Sequence, residues 1–235
     1  LEAAGVGGWC LRAVQALYAD VPMCVRTAEG CSEAFQSLLG LKQGCQLSPM
    51  LFGMFVDDVA AAVAADAGAD LPRFADGRPV PPLLYADDLA CLATSPAGLQ
   101  HQLDRLEAYA AAWGLTVNVA KTQVVVFDGQ RRRAAPAAAA GLSFTYGGAA
   151  LEMVDEFRYL GVHFHSSRAL TAAAAARASA GGRAMHAVRR RCAELGLRGA
   201  KLQLHMFNAR VLPVLGWGAG WWSAGVGGAG SLGGG

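Results

Sequence analysis

The sequence predicts an α+β fold, and three observations predict it. Apolar residues recur at helical spacing in several blocks, from Leu11, Val14 and Leu17 through Met50, Leu51, Met54, Phe55 and Val59 to Leu99, Leu103 and Leu106. Between these blocks, short apolar runs flank turn residues, as Leu83-Leu84-Tyr85 and Leu89-Ala90-Cys91-Leu92 do around Asp87-Asp88. The last third is rich in alanine and arginine, which favour helix. At 235 residues, 54% hydrophobic and 16% charged, the chain can bury a sizeable core as one large domain or two small ones. It is not a disordered polar chain.

Taken in order, residues 11–19 read as the end of an amphipathic helix, with Tyr18 continuing its apolar stripe. Residues 21–35 are mixed and read as a strand pair or loop. A glycine turn over residues 39–44 leads to a helix that Ser48 is placed to cap and Pro49 to open, because a missing N–H is harmless in the first turn. Its apolar spacing carries it toward Ala67. Residues 71–82 hold four prolines and read as a loop. The runs around Asp87-Asp88 then read as a β-hairpin with two carboxylates at its tip. Ser95-Pro96 starts another helix, Leu99, Leu103, Leu106, Ala110 and Trp113 form its expected buried stripe, and Gly114 ends it. Alternation over residues 115–119 and the apolar run 124–127 read as strands.

Residues 129–141, with Arg131-Arg132-Arg133 and several alanines, read as a linker. Residues 142–164 read as β structure turning at Gly147-Gly148. Residues 168–195 read as a helix weakened at Gly181-Gly182, and residues 200–212 as a second helix stopped or kinked at Pro213. Trp217, Trp221 and Trp222 follow as core or interface anchors, ahead of a glycine-rich tail expected to be disordered.

Composition narrows the function classes. No apolar run approaches the roughly 18 residues needed to cross a bilayer, and residues 1–19 contain no basic leader before an apolar stretch. The chain opens on Leu, so a preceding segment is expected. Cysteines stand at 10, 24, 31, 45, 91 and 192 without a C-x-x-C pair, which reads as reduced thiols of an intracellular protein and not as a zinc site. A net charge of +2 hides a split. Residues 1–128 hold 7 Lys/Arg and 14 Asp/Glu, whereas residues 129–235 hold 13 and 4. An acidic half suits a site that gathers cations, and a basic half suits a polyanion or, more simply, solvated helices.

Two elements carry chemistry. Adjacent aspartates on a tight turn, as in Tyr85-Ala86-Asp87-Asp88, can aim hard oxygens at the divalent cations that run phosphoryl transfer. Such pairs are common, and Asp57-Asp58 is another in this chain. Gly40-Leu41-Lys42-Gln43-Gly44-Cys45-Gln46-Leu47-Ser48-Pro49 adds an amide side chain able to bond a base or sugar edge and a glycine that admits a close backbone. An ordinary loop before a helix explains Ser48 and Pro49 but not Gln43-Gly44.

With these motifs the sequence resembles the reverse transcriptases of non-LTR retrotransposons. Gly40-Leu41-Lys42-Gln43-Gly44-Cys45-Gln46-Leu47-Ser48-Pro49-Met50-Leu51-Phe52, then Leu83-Leu84-Tyr85-Ala86-Asp87-Asp88-Leu89-Ala90, is similar to the family's palm. The likeness continues through Gly114-Leu115-Thr116-Val117-Asn118-Val119-Ala120-Lys121-Thr122, then Tyr159-Leu160-Gly161, then the helix from Lys201 to a Leu212-Pro213-Val214-Leu215 end.

The resemblance implies a right-hand polymerase palm, a ferredoxin-like sheet with helices on one face. Partial fingers and palm entry would occupy 1–47, the palm 48–128, the linker 129–141, the primer-support hairpin 142–166, a helical thumb 167–222 and the tail 223–235. It further implies that Asp87 and Asp88 ligate two Mg²⁺ ions, with Mn²⁺ as an alternative. Gln43 and Gly44 would meet template or nucleotide, and Tyr85 the primer end. Lys121 would serve the triphosphate, and Tyr159, Leu160 and Gly161 the primer strand. Arg177, Arg183, Arg189, Arg190 and Arg191 would meet the nucleic-acid backbone.

The implied reaction extends a DNA primer with deoxynucleoside triphosphates on an RNA template, in an intracellular, nuclear setting. The family also carries an upstream aspartate that would precede Leu1, so the chain by itself is expected to be inactive. Gly220 stands where the family often has a glutamate. Two alternatives remain at this point: a non-catalytic element remnant that keeps nucleic-acid binding, and a group II intron-type polymerase.

Overall fold

The computed structural model describes residues 1–37, 40–68, 70–127, 141–167 and 170–222. Two compact units divide the chain, Leu1–Thr116 and Val117–Gly235. Both mix helices with short strands, as α+β predicts.

The first unit opens with helix α1, Gly8–Ala19. Two small antiparallel pairings follow over the stretch read as a strand pair or loop. Strand β1, Pro22–Met23, pairs with β4, Phe35–Gln36, and between them β2, Arg26–Thr27, pairs with β3, Gly30–Cys31. Leu39, where the glycine turn was expected to begin, lies outside the described residues, but Gly40 and Gly44 both take positive φ, +88° and +80°.

The helix expected from Ser48 toward Ala67 is two helices, α2 over Ser48–Phe55 and α3 over Val59–Ala64. Asp58 explains the break. Its carboxylate accepts a 2.6 Å hydrogen bond from the Tyr109 hydroxyl, so a residue that already competes with helical hydrogen bonding is held at the start of α3. Ser48 does not cap α2 either. It is the first helical residue, and its hydroxyl donates to the Lys42 carbonyl at 2.8 Å.

A loop with one bridge, Arg73 to Pro79, leads to β5, Leu83–Tyr85, and β6, Asp88–Ala90. Helix α4, Pro96–Trp113, starts and stops as expected. The Ser95 hydroxyl accepts from the Gly98 N–H at 3.0 Å, and Gly114 closes the helix at φ +65°. Its buried face is rotated from the expected stripe: Gln102, Leu103, Tyr109 and Ala110 are buried, whereas Trp113 is exposed. Tyr109 joins Val56, Val59 and Val63 in the core of this unit, and the ring of Trp113 instead meets Phe55 edge-on at 5.4 Å.

The second unit begins where a strand was expected. Residues 115–118 are irregular, and a 3₁₀ turn covers Val119–Lys121. The Asn118 side chain accepts from the Lys121 N–H at 3.2 Å, a local closure that outcompetes the alternating pattern. Of the apolar run at 124–127 only its first residue is in a strand, β7, Gln123–Val124. The linker expected at 129–141 lies almost wholly outside the described residues.

Strands β8, Thr145–Tyr146, and β9, Ala149–Ala150, turn at Gly147-Gly148 with φ +57° and +75°. Strand β10, Glu152–Met153, runs parallel to β7, and β11, Glu156–Tyr159, forms a hairpin with β12, Val162–His165. Among the described residues the strands pair two at a time, so the single sheet implied by the resemblance is not assembled.

Helix α5, Thr171–Glu194, forms as expected and runs unbroken through Gly181-Gly182. A Cβ on Gly181 would lie 2.1 Å from Leu215 Cδ2, so the missing side chain is what seats that leucine. Helix α6, Ala200–Arg210, precedes α7, Leu212–Gly216, where Pro213 opens a helix and does not merely stop one. Helix α8, Ala219–Trp222, ends the described chain, and the expected tail lies beyond it. Val188, Cys192 and Val211 form the core between α5, α6 and α7, with Met206, Phe207 and Leu215 against it.

Candidate active site

The Asp87-Asp88 hairpin forms as the alternation predicts. Leu83 pairs with Ala90, Leu84 with Leu89 and Tyr85 with Asp88, leaving Ala86-Asp87 as a two-residue turn. Ala86 takes φ +52°, a conformation that an L-residue occupies at a penalty of about 1 kcal/mol. Tyr85, Asp87 and Asp88 are all exposed, Tyr85 by 64%. Neither carboxylate carries a side-chain hydrogen bond or ion pair among the described residues.

The hairpin is held by its base. Leu89 and Cys91 pack against the Val56, Val59, Val63 and Tyr109 cluster, and Phe52 of α2 packs on the same cluster. Burial pushes the Cys91 thiol up to about 11. Buried Gln102, 0% exposed, donates at 2.8 Å to the Leu92 carbonyl just past the hairpin and ties it to α4. Leu83 and Leu84 are exposed, so the expected rigid apolar flank exists on the β6 side only.

Asp57-Asp58 is a different kind of pair. Burial first, then the hydrogen bond and negative charge of Asp58, push the Tyr109 hydroxyl up to about 12. Asp58, itself exposed, is therefore already engaged by a core tyrosine.

Gln43 and Gly44 sit exposed on a loop braced from both ends. The Tyr18 hydroxyl lies 3.0 Å from the Ser48 hydroxyl, and the Lys42 ammonium stands 5.6 Å from the Tyr18 ring centre. Hydrogen bonds from the Leu47 N–H, then from Ser48, hold the Cys45 thiol below its ordinary range. At the start of α2 the Ser48 N–H donates to the Cys45 carbonyl at 3.3 Å. Tyr18, Gln102 and Tyr109 were not recognised from sequence as site supports. The only signal was a polar atom on an apolar helical face.

In the second unit Lys121 is exposed at the end of its 3₁₀ turn. Tyr159 ends β11, and Leu160-Gly161 make the turn at φ +47° and +81°. The arginines of α5 do not form one stripe. Arg183 and Arg190, seven residues apart, share an exposed face. Arg177 is half-buried, and Arg191 lies one residue from buried Cys192. Arg183 donates to Ser179 at 2.8 Å. Arg190 and Arg191 both approach Glu194, at 3.8 and 3.2 Å, as exposed pairs of little energetic weight. Arg189 and Arg198 line a cavity of about 620 Å³ between α5 and α6, floored by Val188, Leu197 and Phe207.

Among the described residues no group of three metal-ligating side chains gathers, and no helix is long and apolar enough to cross a membrane.

Comparison with known proteins agrees with the motifs. Residues 8–164 match the family described as reverse transcriptase (RNA-dependent DNA polymerase). The Pol polyprotein from the type-2 retrotransposable element R2DM of Drosophila melanogaster is 32% identical over 136 residues, 57% of this chain and 12% of that protein. The RNA-directed DNA polymerase from the mobile element jockey of Drosophila funebris is 29% identical over 143 residues, 58% of this chain and 14% of that protein. A type-1 element R2 polyprotein of Nasonia vitripennis is 29% identical over 130 residues, 54% of this chain and 12% of that protein. The chain thus matches only a small part of the length of each relative.

Proposed function

The chain belongs to the reverse transcriptase (RNA-dependent DNA polymerase) family, and from that premise we propose that it carries the Asp87-Asp88 catalytic turn of a non-LTR retrotransposon polymerase, acting on a primed RNA template in the nucleus. The observation that carries this reading is the pair of adjacent, exposed carboxylates, without side-chain partners among the described residues, on a tight hairpin rooted in the core. Six thiols, all free among the described residues, suit a reducing compartment.

The family uses divalent metal ions, and the donor set fits them, because hard cations take carboxylate oxygens. Asp87 and Asp88 would hold Mg²⁺ or Mn²⁺. Bound there, the ions would lower the charge barrier between the primer 3′-hydroxyl and the α-phosphate of a deoxynucleoside triphosphate.

The chain's own residues supply position. Gln43 offers an amide to a base or sugar edge, and Gly44 lets template or nucleotide approach the backbone. Tyr85 stands two residues before Asp87 with its ring exposed, suited to the primer end. Lys121 offers a cation to the triphosphate or a proton to departing pyrophosphate. Tyr159, Leu160 and Gly161 support the primer strand, and exposed arginines of α5 meet the duplex phosphates.

Primer extension tests the reading. Asp87 and Asp88 approach a metal pair from one turn, and no third ligand joins them among the described residues. The 235-residue chain alone is therefore expected to bind primed template without extending it. Joined to a strand that supplies a further aspartate, it should extend a DNA primer on RNA with Mg²⁺, and Asp87→Asn should abolish extension. Extension that survives Asp87→Asn would sink the assignment.

A further inference from the structure

We propose that Trp217 is a positioning residue that fixes the Leu160-Gly161 turn and so sets where the primer strand is held. The inference rests on the primer-support reading of that turn. Two independent contacts carry it. The indole Nε1–H donates to the Leu160 carbonyl at 2.8 Å. The same ring fills the space beside Gly161, where an added Cβ would lie 3.0 Å from Nε1 and 3.5 Å from Cδ1.

The turn needs such a hold. Leu160 takes φ +47°, a left-handed conformation that a branched side chain disfavours, and Gly161 follows at +81°. Two successive left-handed residues suit a two-residue hairpin turn, but leucine would not choose the first position by itself. A hydrogen bond to its carbonyl fixes the Leu160-Gly161 peptide plane, and the ring beside Gly161 would have to shift to admit a larger residue there.

Trp217 is itself anchored, although its side chain is 54% exposed. It immediately follows α7, and α7 docks on α5 through Leu215 seated on Gly181. The path from the arginine-bearing helix to the hairpin tip runs through the Gly181–Leu215 contact, along the chain to Trp217, and through its hydrogen bond to Leu160.

Trp217→Phe keeps a ring and removes the N–H donor. Amide hydrogen exchange on the full chain reads the turn directly. Losing one hydrogen bond should speed exchange at Gly161 and Val162 by about five-fold while α4 is unchanged. A DNA primer carrying a photoreactive base at its 3′ end, annealed to RNA, reads the consequence. Wild-type chain should cross-link at residues 159–161. Trp217→Phe should lose most of that cross-link while duplex affinity stays within about two-fold, since phosphate contacts set affinity.

Gly161→Ala, which pushes a methyl into the indole, is the second variant if Trp217→Phe folds poorly. It should reproduce the lost cross-link. An unchanged turn and cross-link in a folded variant would overturn the proposal and leave the primer-support reading intact. A faster-exchanging turn in the variant, with no wild-type cross-link at residues 159–161 on bound duplex, would overturn that reading and the role proposed for Trp217 with it.

Discussion

Two hairpins in this chain solve the same backbone problem in different ways. Each closes on two residues with a non-glycine at positive φ in the first position, Ala86 at +52° and Leu160 at +47°. The first is held at its base, where Leu89 and Cys91 enter a core built on Tyr109, and its tip carries Asp87 and Asp88 without side-chain partners among the described residues. The second is held at its tip, where Trp217 bonds the Leu160 carbonyl. Strain kept at a site without internal compensation is what motivates the proposal of a ligand at the first turn. The contrast therefore separates a turn held at its base, with its tip left open, from a turn held at its tip from within the protein.

The largest effect should come from the base of the first hairpin. Tyr109 is 7% exposed, and Tyr109→Ala should destabilise the Leu1–Thr116 unit by about 3–5 kcal/mol, the range for removing a buried aromatic ring. Urea unfolding followed within that unit checks it. A loss near zero would mean the hairpin has no base to be held by.

For the second hairpin, Gly181→Ala should cost about 1–3 kcal/mol through overpacking against Leu215, since the added carbon would meet Cδ2 at 2.1 Å. It should also loosen the Leu160 turn. A neutral result would break the anchoring path to Trp217.

Relief of strain gives a smaller effect of opposite sign. Ala86→Gly should stabilise the chain by up to about 1 kcal/mol, because glycine takes positive φ freely but adds entropy to the unfolded chain.

A pH effect follows from Tyr109. Its folded value, about 12, lies above its ordinary value of 10.0, so the native state keeps a proton that the unfolded chain releases. The associated stability is complete below pH 10 and is lost as pH rises toward about 12. Tyr109→Phe should remove that alkaline loss and, at neutral pH, cost about 1 kcal/mol for the Asp58 hydrogen bond. Unfolding midpoints across this range check both.

Legibility in the sequence followed locality. The Asp87-Asp88 hairpin, the Ser95 start and Gly114 stop of α4, and the Gly147-Gly148 turn were readable because each depends on a few adjacent residues. The break between α2 and α3 was not, because it depends on Tyr109, 51 positions from Asp58. The strand expected at 115–119 failed because Asn118 closes a turn on its own backbone, and period-two patterning cannot see side-chain caps. For the candidate site, the hairpin that carries Asp87-Asp88 was readable from type and spacing. Their supports, Tyr18, Gln102 and Trp217, are separated from what they hold by up to 57 positions and were visible only in three dimensions.

Paramagnetic broadening by Mn²⁺ tests the central claim most directly. In amide spectra of the full chain, substoichiometric Mn²⁺ should broaden Tyr85, Ala86, Asp87, Asp88 and Leu89 most strongly. Asp87→Asn or Asp88→Asn should weaken metal binding about ten-fold or more, a change of about 1.4 kcal/mol. Broadening centred on Asp57, or unchanged in both variants, would contradict the account.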